Sequence, residues 1–183
     1  MQVIETEIPA VRVIVPKKFG DNRGFFSEVY SKKVLADAGI DVEFVQDNHS
    51  LSAEKGVVRG MHWQLPPMAQ DKLVRVVRGA ILDVAVDIRR GSPTFGQQVK
   101  VLLSAENWKQ IFVPVGFAHG FVTLEPNTEV IYKVTAGYSP QHERGFRWND
   151  PNVGIEWGIG EDAATLSGRD RAHPLLKDVK DLF

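Results

Sequence analysis

The stretch at residues 59–72, RGMHWQLPPMAQDK, holds several side chains that could perform chemistry on an anionic ligand. They are the guanidinium of Arg59, the imidazole of His62, the amide of Gln64 and the ammonium of Lys72. The apolar sequence after Lys72 is typical of a buried strand, where a charged group costs free energy unless it is paired or used. Arg59, His62 and Lys72 together are suited to binding an anionic ligand and to transferring a proton next to it. The alternative is that His62 is a hydrogen-bonded core residue and the cations lie on the surface.

A metal site is one chemistry that the five histidines could support. The sequence PVGFAH at 114–119 is typical of the later half of a jelly-roll metal motif, with His119 as the later ligand. The earlier half needs a second histidine two residues after His62, but Gln64 stands there. The cation of Lys72 would also repel a metal ion. We therefore expect a site without metal.

Acid–base chemistry beside a ketone is the second possibility. His62 has a suitable intrinsic pKa for a base near neutrality, and Lys72 can stabilise the enolate oxygen that forms. Tyr132 can deliver a proton from another direction, although a strand tyrosine often only bonds its hydroxyl to backbone. A histidine base usually needs an orienting acceptor. The candidate carboxylates are Asp83, Asp87 and Asp170.

A set of cationic and aromatic residues indicates the kind of ligand. Arginines suit a phosphate or pyrophosphate, and aromatic rings offer a face for a base or sugar. With a formal net charge of -1, no overall field attracts nucleic acid or a membrane, so we expect a nucleotide-sized ligand. The alternative is that Arg23 is a turn residue paired with Glu28 and Arg59 is a surface charge. The set comprises Arg23, Arg59, Lys72, His119, Phe26, Trp63 and Tyr138.

Many short strands with regular turns predict the scaffold that positions these groups. Residues 31–38 form the best helix candidate, with Ser31 as N-cap and Gly39 as the stop. Residues 47–50 are polar, and residues 52–56 are predicted to form a loop. Strands are predicted at 11–15, 25–30, 43–46, 72–77, 80–88, 97–103, 109–113, 118–124 and 128–138. This pattern favours an all-β fold, an antiparallel barrel or jelly roll.

Strand parity predicts which side chains face the barrel interior. Lys72 shares a face with Val74 and Val76, and Tyr132 shares one with Val130 and Val134. In residues 80–88 the even-numbered apolar side chains face one way and Asp83, Ala85 and Asp87 face the other. The Arg78-Gly79 pair suggests a tight turn between the two strands.

Length and composition set the remaining expectations. At 183 residues with 43% hydrophobic content, the chain is expected to form one domain over 1–183. We expect a barrel core at about 40–138 and a C-terminal wrap over 139–183 with a short helix near Ala163. The lack of cysteine agrees with a reducing cytoplasm, and neither a signal peptide nor a membrane span is recognisable.

Several runs in register resemble the dTDP-4-dehydrorhamnose 3,5-epimerase family of nucleotide-sugar enzymes. They span nearly the whole chain in the order of the family. The runs are DNRGFFSE at 21–28, QDNHS at 46–50, GVVRGMHWQ at 56–64, KLVR at 72–75, residues 83–87, GSPTFG at 91–96, LSAEN at 103–107, PVGFAHGF at 114–121, Tyr132-Lys133, Tyr138, WNDP at 148–151, and Leu166-Ser167 with Asp170.

The resemblance implies a cupin-type jelly-roll barrel with short peripheral helices. It also implies a homodimer that needs no metal or cofactor and inverts C3 and C5 of dTDP-4-dehydro-6-deoxy-D-glucose. By position, His62 resembles the base, Asp170 its orienting partner, Lys72 the enolate stabiliser and Tyr132 the proton donor. Substrate-contact positions are matched by Arg23, Phe26, Glu28, Gln46, Asn48, Arg59, His119, Glu143 and Tyr138, the last of which stacks on thymine.

One departure lies near the predicted site. Arg169 stands where the family more often has lysine, which keeps the charge but changes the geometry of a phosphate contact. Three alternatives stay open from the residues: a relative that inverts only C3 or C5, a non-catalytic sugar-nucleotide-binding protein, and a metal-dependent cupin.

Overall fold

A computed structural model describes residues 1–183 as two antiparallel sheets that face each other, with a separate hairpin. The strands are β1 Gln2–Glu5, β2 Arg12–Val15, β3 Lys18–Asp21, β4 Gly24–Ser27, β5 Gln46–Ser52, β6 Val58–Gln64, β7 Lys72–Arg78, β8 Ala80–Asp87, β9 Gln98–Ser104, β10 Gln110–Val113, β11 Phe117–Thr123, β12 Thr128–Val134 and β13 Glu143–Gly145. The helices are α1 Lys32–Asp37 and α2 Gly168–Ala172, with 3-10 turns at Glu161–Ala163 and Leu176–Asp178.

The two sheets form the walls of a jelly-roll barrel. The six-stranded sheet has the order β1-β2-β10-β7-β12-β5, and the five-stranded sheet has the order β13-β6-β11-β8-β9. Strands β3 and β4 pair only with each other. The predicted all-β, cupin-type antiparallel fold with short peripheral helices is confirmed. The sheets also take strands from 2–15 and 143–145, outside the expected core range.

The interior between the sheets is apolar at its centre. Val74, Val76 and Val130 from the six-stranded sheet pack there against Ala85 and Phe121 from the five-stranded sheet. These side chains are at most 5% exposed, so the two walls are held together mainly by removal of apolar surface from water. Tyr132 packs on the same cluster, as strand parity predicts.

The outer face of the five-stranded sheet is covered by the C-terminal tail. Val84 and Val86 of β8 point outward and pack with Phe146, Trp148 and Trp157. Strands β8 and β11 are therefore buried on both faces, which explains their nearly continuous apolar sequence. The predicted alternation in β8 is confirmed, because Asp83 and Ala85 lie on the opposite, inner face.

Helix α1 covers part of the six-stranded sheet and begins where the sequence predicts. The Ser31 side chain accepts a hydrogen bond from the backbone N–H of Val34, and Leu35 packs with Leu73 and Phe112 of the sheet. Gly39 follows the helix with φ of 85°, a conformation that costs glycine little.

Three local predictions were wrong. The strand predicted at 43–46 is misplaced, because β5 begins at Gln46 and runs through the polar residues 47–50 as an edge strand paired with β12. Its outward polar side chains meet solvent and its inward ones meet a cavity, so it lacks an apolar face. Arg78-Gly79 does not close a hairpin, since β7 and β8 lie in different sheets and Gly79 turns the corner between them. The last predicted strand ends at Val134 rather than at 138.

The tail runs along the outer face of the five-stranded sheet and has a 3-10 turn at Glu161–Ala163, where a short helix was expected. It also contains β13 and α2, which the sequence reasoning did not anticipate. None of the helices combines the length and apolar character that crossing a bilayer requires.

Candidate active site

A cavity of about 440 Å³ opens between the two sheets. Its wall is mostly polar, with only two hydrophobic residues. Besides Lys72, four of the lining residues are cationic or become cationic on protonation. One acidic residue, Asp170, lies among them. The lining residues are Ser50, Arg59, His62, Lys72, His119, Phe121, Tyr132, Ser167, Arg169 and Asp170.

A β-bulge in β6 brings Arg59 and His62 to the same cavity. Three residues apart, they would face opposite sides of a regular strand. However, His62 pairs with His119 while Arg59 pairs with Phe121, so β6 has one extra residue between the pairs. Gly60 permits this, because a Cβ there would lie 2.6 Å from the Cα of Gly120.

Helix α2 supplies the carboxylate that faces His62. The His62 Nε2 atom lies 2.6 Å from Asp170 Oδ1, bent away from a linear hydrogen bond. Ser167 caps α2 by accepting from the Asp170 N–H, and its hydroxyl donates to Asp170 Oδ2 at 2.7 Å. Burial raises the pKa of the Asp170 carboxyl, but the contacts with His62 and Ser167 outweigh burial and the pKa is lowered. Asp170 is therefore ionised and leaves Nδ1 of His62 as the ring nitrogen free to act on a ligand.

Lys72 and Tyr132 face His62 from the opposite sheet. They lie on the neighbouring strands β7 and β12, where Lys72 is the register partner of Val134. Burial lowers the pKa of Lys72 to about 8, and the charges of Asp83 and Glu143 oppose that shift. Burial raises the pKa of the Tyr132 hydroxyl, against the opposing effect of Arg59. Near neutral pH, Lys72 is thus mostly an ammonium and Tyr132 keeps its proton.

The remaining candidate carboxylates serve other partners. Asp83 is fully buried behind the cavity wall, and both of its oxygens lie within 3.0 Å of His119 Nε2. Asp87 binds Arg89 in a fork, with contacts of 2.9 and 2.7 Å. Of the three carboxylates considered for His62, the structure brings only Asp170 to it.

A polar cluster lies beside the cavity and contains three of the predicted contact residues. The Tyr138 hydroxyl donates to Glu143 at 3.0 Å, and Arg169 donates to the Tyr138 hydroxyl at 3.0 Å. Arg169 also pairs with Glu143. Tyr138 is 53% exposed, so its ring face is available to a ligand.

Gln46 and Asn48 lie on β5 and point to the same side of the strand as the cavity residue Ser50. The Gln46 amide donates to Asn48 at 2.8 Å, and Asn48 is the register partner of Tyr132. These two predicted contacts therefore extend the polar wall along the strand.

Three predicted contact residues lie away from this cavity in the single chain. Arg23 is at the turn of the β3–β4 hairpin and pairs with Asp21, not with Glu28 as one reading of the sequence had it. Phe26 is 70% exposed on the same hairpin. Glu28 lines a separate, smaller pocket.

Four residues near the site were missed by sequence reasoning. Ser50 shares strand parity with Gln46 and Asn48, a signal that was lost because the predicted strand stopped at residue 46. Phe121 and Ser167 lie within recognised runs but were assigned no role. His173 follows α2, and its ring centroid lies 5.3 Å from that of His62. No pattern in the sequence could have placed it there.

An imidazole with its carboxylate, an ammonium and a phenol, arranged around a cavity between two sheets, form an acid–base site suited to isomerising a carbonyl compound. A family model described as dTDP-4-dehydrorhamnose 3,5-epimerase matches residues 5–178. The chain belongs to this family of carbohydrate epimerases, which are isomerases.

Individual relatives agree with that assignment. The dTDP-4-dehydrorhamnose 3,5-epimerase of Sinorhizobium fredii is 54% identical over 96% of this chain and 90% of its own. A dTDP-6-deoxy-D-glucose-3,5-epimerase from Legionella pneumophila, solved with dTDP-4-keto-L-rhamnose, superposes with a TM-score of 0.93 at 46% identity, covering 98% of this chain and 94% of that one. The Bacillus anthracis epimerase with TDP and pyrophosphate bound gives 0.92 at 50% identity, covering 95% and 98%.

Proposed function

We propose that this chain inverts both C3 and C5 of dTDP-4-dehydro-6-deoxy-D-glucose through enolate intermediates, without metal or cofactor. The observation that carries the proposal is the position of His62 and Tyr132 on opposing sheets around one cavity, with Lys72 beside Tyr132. Because C3 and C5 both flank the C4 ketone, a single enolate-stabilising group serves both carbons.

The proposed step removes one proton from a sugar carbon and adds another proton to the same carbon. Nδ1 of His62 removes the proton from the carbon beside the ketone, and the electron pair moves onto the C4 oxygen. The Lys72 ammonium stabilises that oxyanion. Tyr132 then donates its proton to the opposite face of the same carbon, which inverts it. His62 loses its proton to solvent and the Tyr132 phenolate regains one through the open cavity, which resets the site.

The Asp170 carboxylate supports the base by favouring the tautomer with hydrogen on Nε2. It also stabilises the imidazolium that forms when His62 accepts a proton. Its own orientation depends on Ser167, which holds the second oxygen at 2.7 Å.

The nucleotide end of the substrate is proposed to bind the cationic side of the cavity. Arg59, His119 and Arg169 supply donors for a diphosphate, which arginine can contact through two parallel hydrogen bonds. Tyr138 supplies an exposed ring face for thymine, next to Arg169.

We also propose that the chain acts as a homodimer in which each protomer completes the cavity of its partner. The β3–β4 hairpin exposes Phe19, Phe25 and Phe26 at 53%, 56% and 70%, an unusual density of apolar rings on a free surface. The same hairpin carries Arg23, with Glu28 directly after it. Docking of the hairpin on a second copy would bury the rings and bring these predicted contacts to the partner's substrate.

Mixing two inactive variants tests the shared site. Co-expressed His62→Ala and Arg23→Ala chains should recover about a quarter of the wild-type sites, because one site in each hybrid dimer is intact. Recovery no greater than the sum of the separate variants, in dimers verified by light scattering, contradicts the shared site.

Product stereochemistry tests the reaction itself. Wild-type enzyme and dTDP-4-dehydro-6-deoxy-D-glucose, followed by NMR in the presence of a chelator, should yield sugar inverted at both C3 and C5. Inversion at only one carbon would replace the proposal with a single-carbon epimerase. Binding without turnover would replace it with a non-catalytic protein, and loss of activity in chelator would indicate a metal-dependent reaction.

A further inference from the structure

His173 has no role in the proposed epimerisation, although its imidazole is directed toward the base and its carboxylate. The ring lies 5.3 Å from His62 between centroids, at an interplanar angle of 69°. Its Nε2 atom is buried and has no hydrogen-bond partner. A buried imidazole nitrogen without a partner costs free energy, so this nitrogen is available to a ligand that supplies the missing contact.

Two further unpartnered atoms lie beside it. His62 Nε2 and Asp170 Oδ1 are also buried without a satisfactory hydrogen bond, even though they are 2.6 Å apart. One donor atom from each of His62, Asp170 and His173 lies within 4.8 Å of the other two. Asp170 is only 4% exposed.

We propose that His62, Asp170 and His173 form a binding site for a transition-metal ion of the Zn²⁺ type, and that the bound ion inhibits the epimerase reversibly. Two imidazoles and a carboxylate are a ligand set that zinc uses with three protein donors and one open position. His62 and Asp170 line the cavity, so an ion held by them is accessible from that side. Inhibition follows because metal bound at Nε2 displaces the contact with Asp170 and fixes the imidazole that should accept the substrate proton.

The neighbouring residues support these ligands as a metal site requires. Ser167 binds Asp170 Oδ2, the kind of second contact that orients a metal-bound carboxylate, so Oδ1, which faces His62 Nε2, is the oxygen that coordinates. Gly145 makes room for the His173 ring, because a Cβ there would lie 2.5 Å from His173 Nε2. Tetrahedral donors at zinc are about 3.3 Å apart, given metal–ligand distances of roughly 2.0–2.2 Å. Metal binding therefore requires side-chain rotations that open the 2.6 Å contact between His62 and Asp170 and bring His173 closer.

The chain offers a matched control for this set. His49 on β5 also pairs with a carboxylate, Glu129, at 2.9 Å, but it is 55% exposed. It lies outside the cavity, and the metal-competent cluster does not include it. Its replacement removes one histidine without touching the proposed ligands.

The test uses the full chain and Zn²⁺ alone, with Mg²⁺ as the comparison ion. Zn²⁺ should inhibit chelator-treated enzyme, and added chelator should restore activity. Mg²⁺, which prefers oxygen ligands, should not inhibit the enzyme. His173→Ala should retain activity in chelator within a few fold and weaken Zn²⁺ inhibition at least about tenfold. His49→Ala should be inhibited as strongly as wild type. Equal inhibition of wild type and His173→Ala overturns the site.

Binding is also read without turnover, which covers the case of a His173→Ala chain that does not fold. In NMR spectra of the wild type, one equivalent of Zn²⁺ should shift the imidazole signals of His62 and His173 and leave those of His49, His119 and His142 in place. Shifts confined to other histidines, or no binding by calorimetry, overturn the metal site.

The inhibitory effect rests on the proposed role of His62, and these measurements separate the two ideas. Enzyme that turns over in chelator but binds no Zn²⁺ contradicts the metal site and leaves the proposed function standing. A chain that binds Zn²⁺ at His62 and His173 but never epimerises its substrate contradicts the proposed function and leaves the metal site standing.

Discussion

Replacement of Lys72 by methionine should make the protein more stable and nearly inactive. Burial lowers the pKa of Lys72 from 10.5 to about 8 even with Asp83 and Glu143 opposing the shift. The folded protein therefore destabilises this charge overall. Methionine has a similar length and no charge, so it removes the cost while filling the space.

The magnitude follows from the lowered pKa. At about 1.4 kcal/mol for each pH unit, the change from 10.5 to about 8 corresponds to roughly 3 kcal/mol of unfavourable free energy. The side chain borders an open cavity, so solvent screening reduces the expected gain in the variant to about 2 kcal/mol.

The gain should depend on pH in a defined direction. At pH 7 the lysine is charged in both the folded and unfolded states, and the folded state bears the full cost. Between pH 8 and 10.5 the unfolded chain holds a proton that the folded chain has lost, so wild-type stability rises with pH. The advantage of Lys72→Met should therefore shrink toward zero as pH approaches 10.5.

The activity of Lys72→Met should fall, whereas its stability at pH 7 should rise. Loss of a group that stabilises an oxyanion typically reduces kcat by about 10²–10³-fold. Urea unfolding at pH 7 and pH 9.5 and initial rates on the same preparations measure both effects, with the exposed Lys109→Met as control. A Lys72→Met protein that is less stable than wild type at pH 7, or whose advantage does not fall with pH, refutes the reasoning.

Two further substitutions test the carboxylates. Asp170→Asn should lower kcat roughly 10³-fold with little change in KM, because the amide no longer favours the required tautomer of His62; steady-state kinetics measure this, and a near-normal kcat would exclude Asp170 as the positioning residue. Asp83→Asn should raise KM about tenfold with a smaller effect on kcat, because His119, a proposed diphosphate contact, loses the buried carboxylate beside its Nε2 atom. It should also shift the alkaline limb of the rate profile to lower pH, since Asp83 raises the pKa of Lys72; an unchanged limb would argue against that coupling.

Strand parity was sufficient to predict the inner wall formed by β7 and β12. Lys72 and Tyr132 were placed on inward faces because valines at the same parity fix the apolar side of each strand. The cap at Ser31 was equally local. These features depend on short-range patterns that are visible in the sequence itself.

Other parts of the site depend on contacts that no local pattern encodes. Arg59 and His62 share the cavity only because β6 bulges between them, and the close approach of Gly60 to Gly120 involves two distant strands. Strand β5 escaped recognition because its inner face meets a polar cavity instead of the core. The position of His173 depends on how the tail crosses the outer end of β6, which is a tertiary outcome.

The partner of His62 could not be chosen from residue spacing alone. Spacing left three carboxylates open, and the family resemblance selected one. In the fold, Asp83 and Asp87 are occupied by His119 and Arg89, so the choice is made by the packing of α2 against β6.

The most direct test of the central claim compares deuterium uptake with inversion for Tyr132→Phe in deuterated water. Wild type should incorporate deuterium at C3 and C5 as it inverts them. The variant should still exchange within about tenfold of wild type, because His62 remains, while its inversion falls by about 10²–10⁴-fold for want of a donor on the opposite face. Equal loss of exchange and inversion in the folded variant would contradict the assignment of His62 and Tyr132 to opposite faces of the sugar.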